Sequence, residues 1–133
     1  MPDFQIVVDQ ATAEAEVQRL LDRKKVFPKQ RERLAPAIEQ VVEAMTYGLV
    51  TINDDGSITQ KLLEPINGIE EIKYASRIEP ITINRRIQNL KVDNVTNRFL
   101  VYLSTYSNQM ETIFLNMEPS DRSTADSIAF FFQ

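Results

Sequence analysis

The chain has 133 residues, 43% of them hydrophobic and 26% charged, and a net charge of −4. That apolar share suffices for one packed core, and the acidic balance argues against a general nucleic-acid binder. With no cysteine and no histidine, disulfides, thiolate metal sites, a cysteine nucleophile and an imidazole base are excluded.

Met1-Pro2-Asp3 lacks the basic and apolar regions of a signal peptide, and no apolar run reaches the ~20 residues of a membrane span. The expectation is a cytoplasmic protein with no membrane contact. Phe4, Ile6, Val7 and Val8 form a short apolar segment that reads as a strand. Asp9 or Thr12 caps the helix that follows, with Val17, Leu20, Leu21 and Lys24 on its inner stripe. Phe27-Pro28 ends it. Leu34, Ile38, Val41, Val42 and Met45 mark a second helical stripe. Pro36 lies inside that pattern, so it either kinks the helix or marks its true first turn, with residues 29–35 a separate short turn. Gly48 stands where a helix closes in the left-handed conformation.

Leu49–Asn53 and Ser57–Leu62 are β-prone runs around Asp54-Asp55-Gly56, a hairpin signal. Glu64–Gly68 is the next break, and a further extended segment runs from Ile69 to Ile78, closed by Glu79-Pro80. Ile83, Ile87 and Leu90 mark a short helix. Asp93 caps a longer one that turns Phe99, Tyr102, Leu103 and Tyr106 inward, and Met110–Met117 is ambiguous. Pro119-Ser120-Asp121 opens the last helix, with Ser120 as cap, and Ala125, Ile128 and Phe131 or Phe132 face the core. Phe130 then points elsewhere, since one helix face cannot hold three consecutive rings.

The pattern predicts an α+β fold, mostly helical, with a small β-hairpin or sheet between an N-terminal helical hairpin and a C-terminal helical bundle. The division falls near Gly48: an N-terminal helical extension over 1–48, and a β-hairpin plus helical domain over 49–133, or one compact domain overall.

Chemistry-bearing constellations are few. Glu70 and Glu71 alternate across a strand and so do not pair. Asp54-Asp55-Gly56 lacks the further ligands of a calcium loop, and the isolated glycines make no phosphate cradle. No catalytic residue, metal site or cofactor is expected, and an enzyme is the least favoured class. Two groups point to partners. Arg19, Arg23, Lys24, Lys25, Lys29, Arg31 and Arg33 place seven of fifteen basic residues in fifteen positions. They are either a solvated corner or an anionic contact, an acidic protein surface before nucleic acid because no stacking aromatics accompany them. Phe99, Tyr102, Tyr106, Phe114, Met117, Phe130, Phe131 and Phe132 make the C-terminal half rich in adaptable apolar side chains, the expected surface for a helical partner or a second copy of the chain.

Leu63-Glu64-Pro65, Ile69, Ile72, Tyr74 and Arg77, then Leu115-Asn116-Met117-Glu118-Pro119, Asp121, Ile128 and Phe131, resemble the order of residues in small tail assembly chaperones of long-tailed bacteriophages. The resemblance covers roughly residues 62–132, and residues 1–60 depart from it. It implies a non-enzymatic protein of the host cytoplasm that binds the tape measure protein and tail tube subunits, in a family that often makes a longer form by frameshifting. The alternatives in the same setting are a structural virion protein of the neck, tail or baseplate, and a nucleic-acid-binding regulator acting through the Arg19–Arg33 cluster.

Overall fold

The computed structural model describes residues 4–76 and 95–132, and of residues 95–98 and Phe132 only the backbone. Helix α1 (Gln10–Arg23) starts at Asp9, whose carboxylate accepts the Thr12 N–H at 2.8 Å and fills an orphan donor of the first turn. Its buried residues Ala13, Val17, Leu20 and Leu21 recur every three or four positions. Lys25 closes the helix in the left-handed region, at φ 59°. The Lys25 N–H donates to the Asp22 carbonyl and the Val26 N–H to the Leu21 carbonyl, both at 3.0 Å. This double closure is the one glycine usually supplies.

Pro36 does not kink a long helix. A separate short α2 (Pro28–Arg33) precedes α3 (Ala35–Thr46), each with proline in its first turn, where the missing N–H costs nothing. Gly48, at φ 75°, closes α3 with the same pair of bonds: its N–H donates to Met45 and that of Leu49 to Ala44. A Cβ at Gly48 would lie 3.0 Å from the Val7 side chain. Residues 4–8 are not a strand. They run along the end of α3, with the Val7 N–H on the Thr46 carbonyl at 2.8 Å and the Phe4 ring 5.1 Å from that of Tyr47.

The three-stranded antiparallel sheet has the order β1 (Val50–Ile52), β2 (Ile58–Ile66), β3 (Ile69–Tyr74). The predicted hairpin around Asp54-Asp55-Gly56 pairs Ile52 with Ile58. Glu64-Pro65-Ile66 is not a break: β2 runs through it by a register shift between Lys61 and Ile66, an irregularity that admits a proline without an N–H. Asn67 and Gly68, both at positive φ, turn the chain into β3 as a two-residue hairpin loop requires. Val50, Ile58, Gln60, Leu62, Ile72 and Tyr74 line the buried face, the period-2 alternation of a sheet wet on its other side.

Helices α4 (Val95–Ser107), α5 (Glu111–Leu115) and α6 (Pro119–Ala129) follow, with a 3₁₀ turn at Phe130–Phe132. The expected helix at Ile83–Leu90, its neighbours Asp93, Glu79 and Pro80, and the end of the extended segment at Ile78 lie outside the described residues. Helix α6 begins two residues earlier than a Ser120 cap would place it. Ser120 is not its cap: Glu118 is, its carboxylate accepting the N–H groups of Ser120 and Asp121 at 2.9 and 3.1 Å. Glutamate reaches the first-turn donors from there because Pro119 offers none of its own. Helix α4 packs on β3, and α6 on α3 and β2. Val17, Leu21, Val41, Met45, Ile58, Ile72, Tyr74, Leu103, Phe114 and Ile128 thus meet in one core drawn from both sides of Gly48. Gln40 of α3 donates to Ser123 and accepts from Ser127 of α6, at 2.7 and 2.6 Å.

Candidate functional site

A buried polar chain ties the sheet to α6. Tyr74, fully buried, donates its hydroxyl to Gln60 Oε1 at 2.7 Å. Gln60 Nε2 donates to the Asp121 carbonyl at 2.8 Å. The Asp121 carboxylate, on the same residue, accepts the N–H groups of Leu63 and Glu64 at 2.9 and 3.1 Å. Those two donors lie within the register shift of β2, where β3 offers them no ladder partner. Burial, with Asp126 nearby, pushes the Tyr74 hydroxyl far above its usual range, so it stays a neutral donor. Among the described residues no buried side-chain polar atom lacks a partner, and no group of three metal-ligating side chains converges. The network is satisfied within the fold.

The expected aromatic surface divides. Tyr106, Phe114, Met117 and Phe131 are buried in the core, so these four are corrected from contact residues to packing residues. Phe114 faces Tyr74 with ring centroids 6.5 Å apart. Tyr106 lies on α4, Phe114 on α5, Met117 in the turn between α5 and α6, and Phe131 in the closing 3₁₀ turn, and all four join the core under the sheet. Phe99 and Tyr102 are half-buried. Phe130 is 36% exposed and stands edge-on to Phe99 at 5.0 Å. The side chain of Phe132 lies outside the described residues. Six further large apolar side chains, absent from the expected surface, are open: Phe4, Ile6, Val7, Phe27, Met110 and Leu115, each more than half exposed. A five-residue helix such as α5 has too few turns for a periodicity that would separate exposed Leu115 from buried Phe114.

The basic cluster divides too. Arg31 donates Nε to the Val26 carbonyl at 2.9 Å, and its two terminal nitrogens to Gln18 and Asp22 at 2.8 and 2.6 Å. Lys24 Nζ donates to the Ser76 carbonyl at 2.8 Å, and Arg23 to the Asp54 carbonyl at 2.7 Å. These three cations fasten α1 to α2, to the end of β3 and to the first hairpin. Arg19, Lys25, Lys29 and Arg33 are exposed and enter no salt bridge among the described residues. Arg23, Lys24 and Lys25 border a cleft of about 530 Å³ whose wall includes Phe131, Gly56 and Ser76. A larger groove of about 840 Å³ runs between α1 and α3, bordered by Ile6, Pro28, Ile38, Val42 and Tyr47 and by four glutamates.

Comparison with family models, with curated proteins and with solved structures finds no match for this chain.

Proposed function

We propose that the chain is a tail assembly chaperone or adaptor of a long-tailed bacteriophage, binding the tape measure protein and tail tube subunits while the virion is built. The observation that carries this reading is the run of residues from Leu63 to Phe131 that follows the family's order. Its support in the fold is that Ile72, Tyr74, Met117, Asp121, Ile128 and Phe131 are all buried. These six join β3 to α6 in one core, while Glu64, Pro65, Leu115, Asn116 and Pro119 of the same pattern are exposed. Phe130, leaning on Phe99, and the open Met110 and Leu115 supply exposed apolar contacts suited to a helical partner.

Co-expression with the tape measure protein of the same genome and pull-down of the pair tests the proposal. Co-purification that Phe130→Ser weakens is expected; two soluble proteins that never associate would overturn it. Mass spectrometry of purified virions separates the chaperone, which is lost, from a neck, tail or baseplate component, which stays. A nucleic-acid regulator is the weaker alternative, because Arg23, Lys24 and Arg31 are already spent on carbonyl and carboxylate oxygens of the chain. A gel shift lost with rising salt would revive it.

A further inference from the structure

The groove between α1 and α3 has an apolar lining and an acidic rim. The two helices run antiparallel, since Gln18 meets Arg31 at one end and Val7 meets Thr46 at the other. Helix α1 gives the groove one ridge, Gln10, Glu14 and Gln18, spaced i, i+4, i+8. Helix α3 gives the other, Ile38 and Val42 with Glu39 and Glu43 beside them. Ile6, 73% exposed, extends the apolar lining past the end of α3. Glu14, Glu32, Glu39 and Glu43 are all exposed, and none enters a salt bridge among the described residues. Arg31 is the one cation on the groove wall among the described residues, and Asp22, at 2.6 Å, already pairs with it. The rim therefore keeps four uncompensated negative charges around an apolar furrow.

We propose that this groove takes a basic amphipathic helix of a protein partner, its apolar stripe against Ile6, Ile38 and Val42 and its lysine or arginine side chains on the four glutamates. The walls select a helix. Both are helices whose backbone bonds close within themselves, so they present no strand edge for an extended peptide to pair with. The furrow between two packed antiparallel helices is instead the shape that a third helix fills, ridge into groove. Helix α3 has 12 residues, about 18 Å of axis at 1.5 Å per residue, which matches about three turns of a partner. The rim selects the charge. An acidic helix would set like charges across the contact, whereas a basic one meets an opposite charge on both ridges, at Glu14 on α1 and at Glu39 and Glu43 on α3. The same four charges repel nucleic acid and anionic membranes, so the occupant is a protein segment. Phe130, Met110 and Leu115 do not line this groove, and the inference does not depend on the phage reading.

Two fluorescein-labelled synthetic peptides of about sixteen residues, long enough for four helical turns, are the probes. Both carry leucine at i, i+3, i+4 and i+7; one has lysine on either side of that stripe and the other has glutamate. Fluorescence anisotropy with the full chain should show binding of the lysine peptide, weakened several-fold by high salt, and circular dichroism should show the bound peptide helical. A lysine peptide that does not bind at about 200 µM protein, where even a weak specific complex would form, overturns the proposal. So does a glutamate peptide that binds as well, or a bound peptide that stays unfolded. Two charge-reversed variants fix the place. Glu39→Lys with Glu43→Lys should lose the lysine peptide and gain the glutamate one. Glu70→Lys with Glu71→Lys makes the same change in net charge on exposed positions of β3 and should bind like the parent. Equal losses in both variants would reduce the attraction to net charge and refute the groove. Ile6→Ser removes an apolar contact that the fold leaves in solvent and should weaken binding several-fold; an unchanged affinity would exclude the apolar lining as the seat of the helix.

Discussion

Asp121 is only 2% exposed, an uncommon place for a carboxylate. Its two oxygens meet two backbone donors that β3 cannot reach, so its burial is compensated rather than strained. Asp121→Ala strands both N–H groups, each costing about 1–3 kcal/mol, and urea unfolding should record a loss of that order. Tyr74→Phe, one bond along the same network, leaves Gln60 Oε1 without its donor and should cost about 1–2 kcal/mol in the same assay. A Tyr74→Phe variant as stable as the parent would mean that water replaces the hydroxyl. Asp9 and Asp55 are exposed carboxylates held below their usual range. For Asp9 the leading cause is the Thr12 N–H, and for Asp55 it is the Ser57 hydroxyl. Because the folded value is the lower one, their contribution is present above the unfolded value near 3.8 and is lost as the pH falls through the folded value. Melting temperature should therefore change little from pH 7 to 5 and fall below about pH 4. Asp9→Asn and Asp55→Asn together should flatten part of that fall. Both groups are in water, so added salt should shrink the effect.

At the scale of elements, helix ends carry the sharper tests. Helices α1 and α3 close with the same pair of hydrogen bonds, but α3 uses Gly48 and α1 uses Lys25 at a φ of 59°. A side chain there costs about 1 kcal/mol against glycine, so Lys25→Gly should raise stability by roughly that amount. A lower melting temperature would show that the Lys25 stem packs against the cleft beside Val26. Helix α6 takes its cap from Glu118, so Glu118→Ala should cost about 1 kcal/mol and Ser120→Ala less than about 0.5 kcal/mol. The reverse order would restore Ser120 as the cap. The turn after α6 separates its rings: Phe131 is buried and Phe130 stands open against Phe99. Phe131→Ala should lose about 3–5 kcal/mol. Phe130→Ser should lose about 1 kcal/mol, the worth of one edge-to-face ring contact. Comparable losses in denaturant would make both rings core.

At the scale of the whole molecule, the N-terminal helices do more than extend the fold. Helix α3 lies against α6, and its Gln40 bonds two serines of that helix. A core built this way spreads the consequence of a cavity in α3 to the opposite end of the chain. The exposed apolar side chains fall in separate places: the Phe27 corner, residues 4–7, and the Met110, Leu115 and Phe130 positions of the C-terminal half.

The α+β character was legible in local chemistry. Val17, Leu20 and Leu21 declare a helix by spacing. Asp55-Gly56 declares the first hairpin, and Gly48 the end of α3, through backbone conformations few residues accept. Phe130 does turn outward, but from a 3₁₀ turn after α6 and not from the continuous helix the spacing predicted. Other features depended on partners distant along the chain. The continuation of β2 past Pro65 rests on Asp121, fifty-eight and fifty-seven residues from the donors it satisfies. The burial of Tyr106, Phe114 and Met117 depends on which helix covers the sheet, since an aromatic run reads the same whether it faces a core or a partner. Arg31 and Lys24 look like surface charge until the carbonyls of Val26 and Ser76 come within reach. Periodicity and turn chemistry act over a few residues and so survive in the linear sequence. Burial and hydrogen-bond partnership act across the folded volume, and only the tertiary structure decides them.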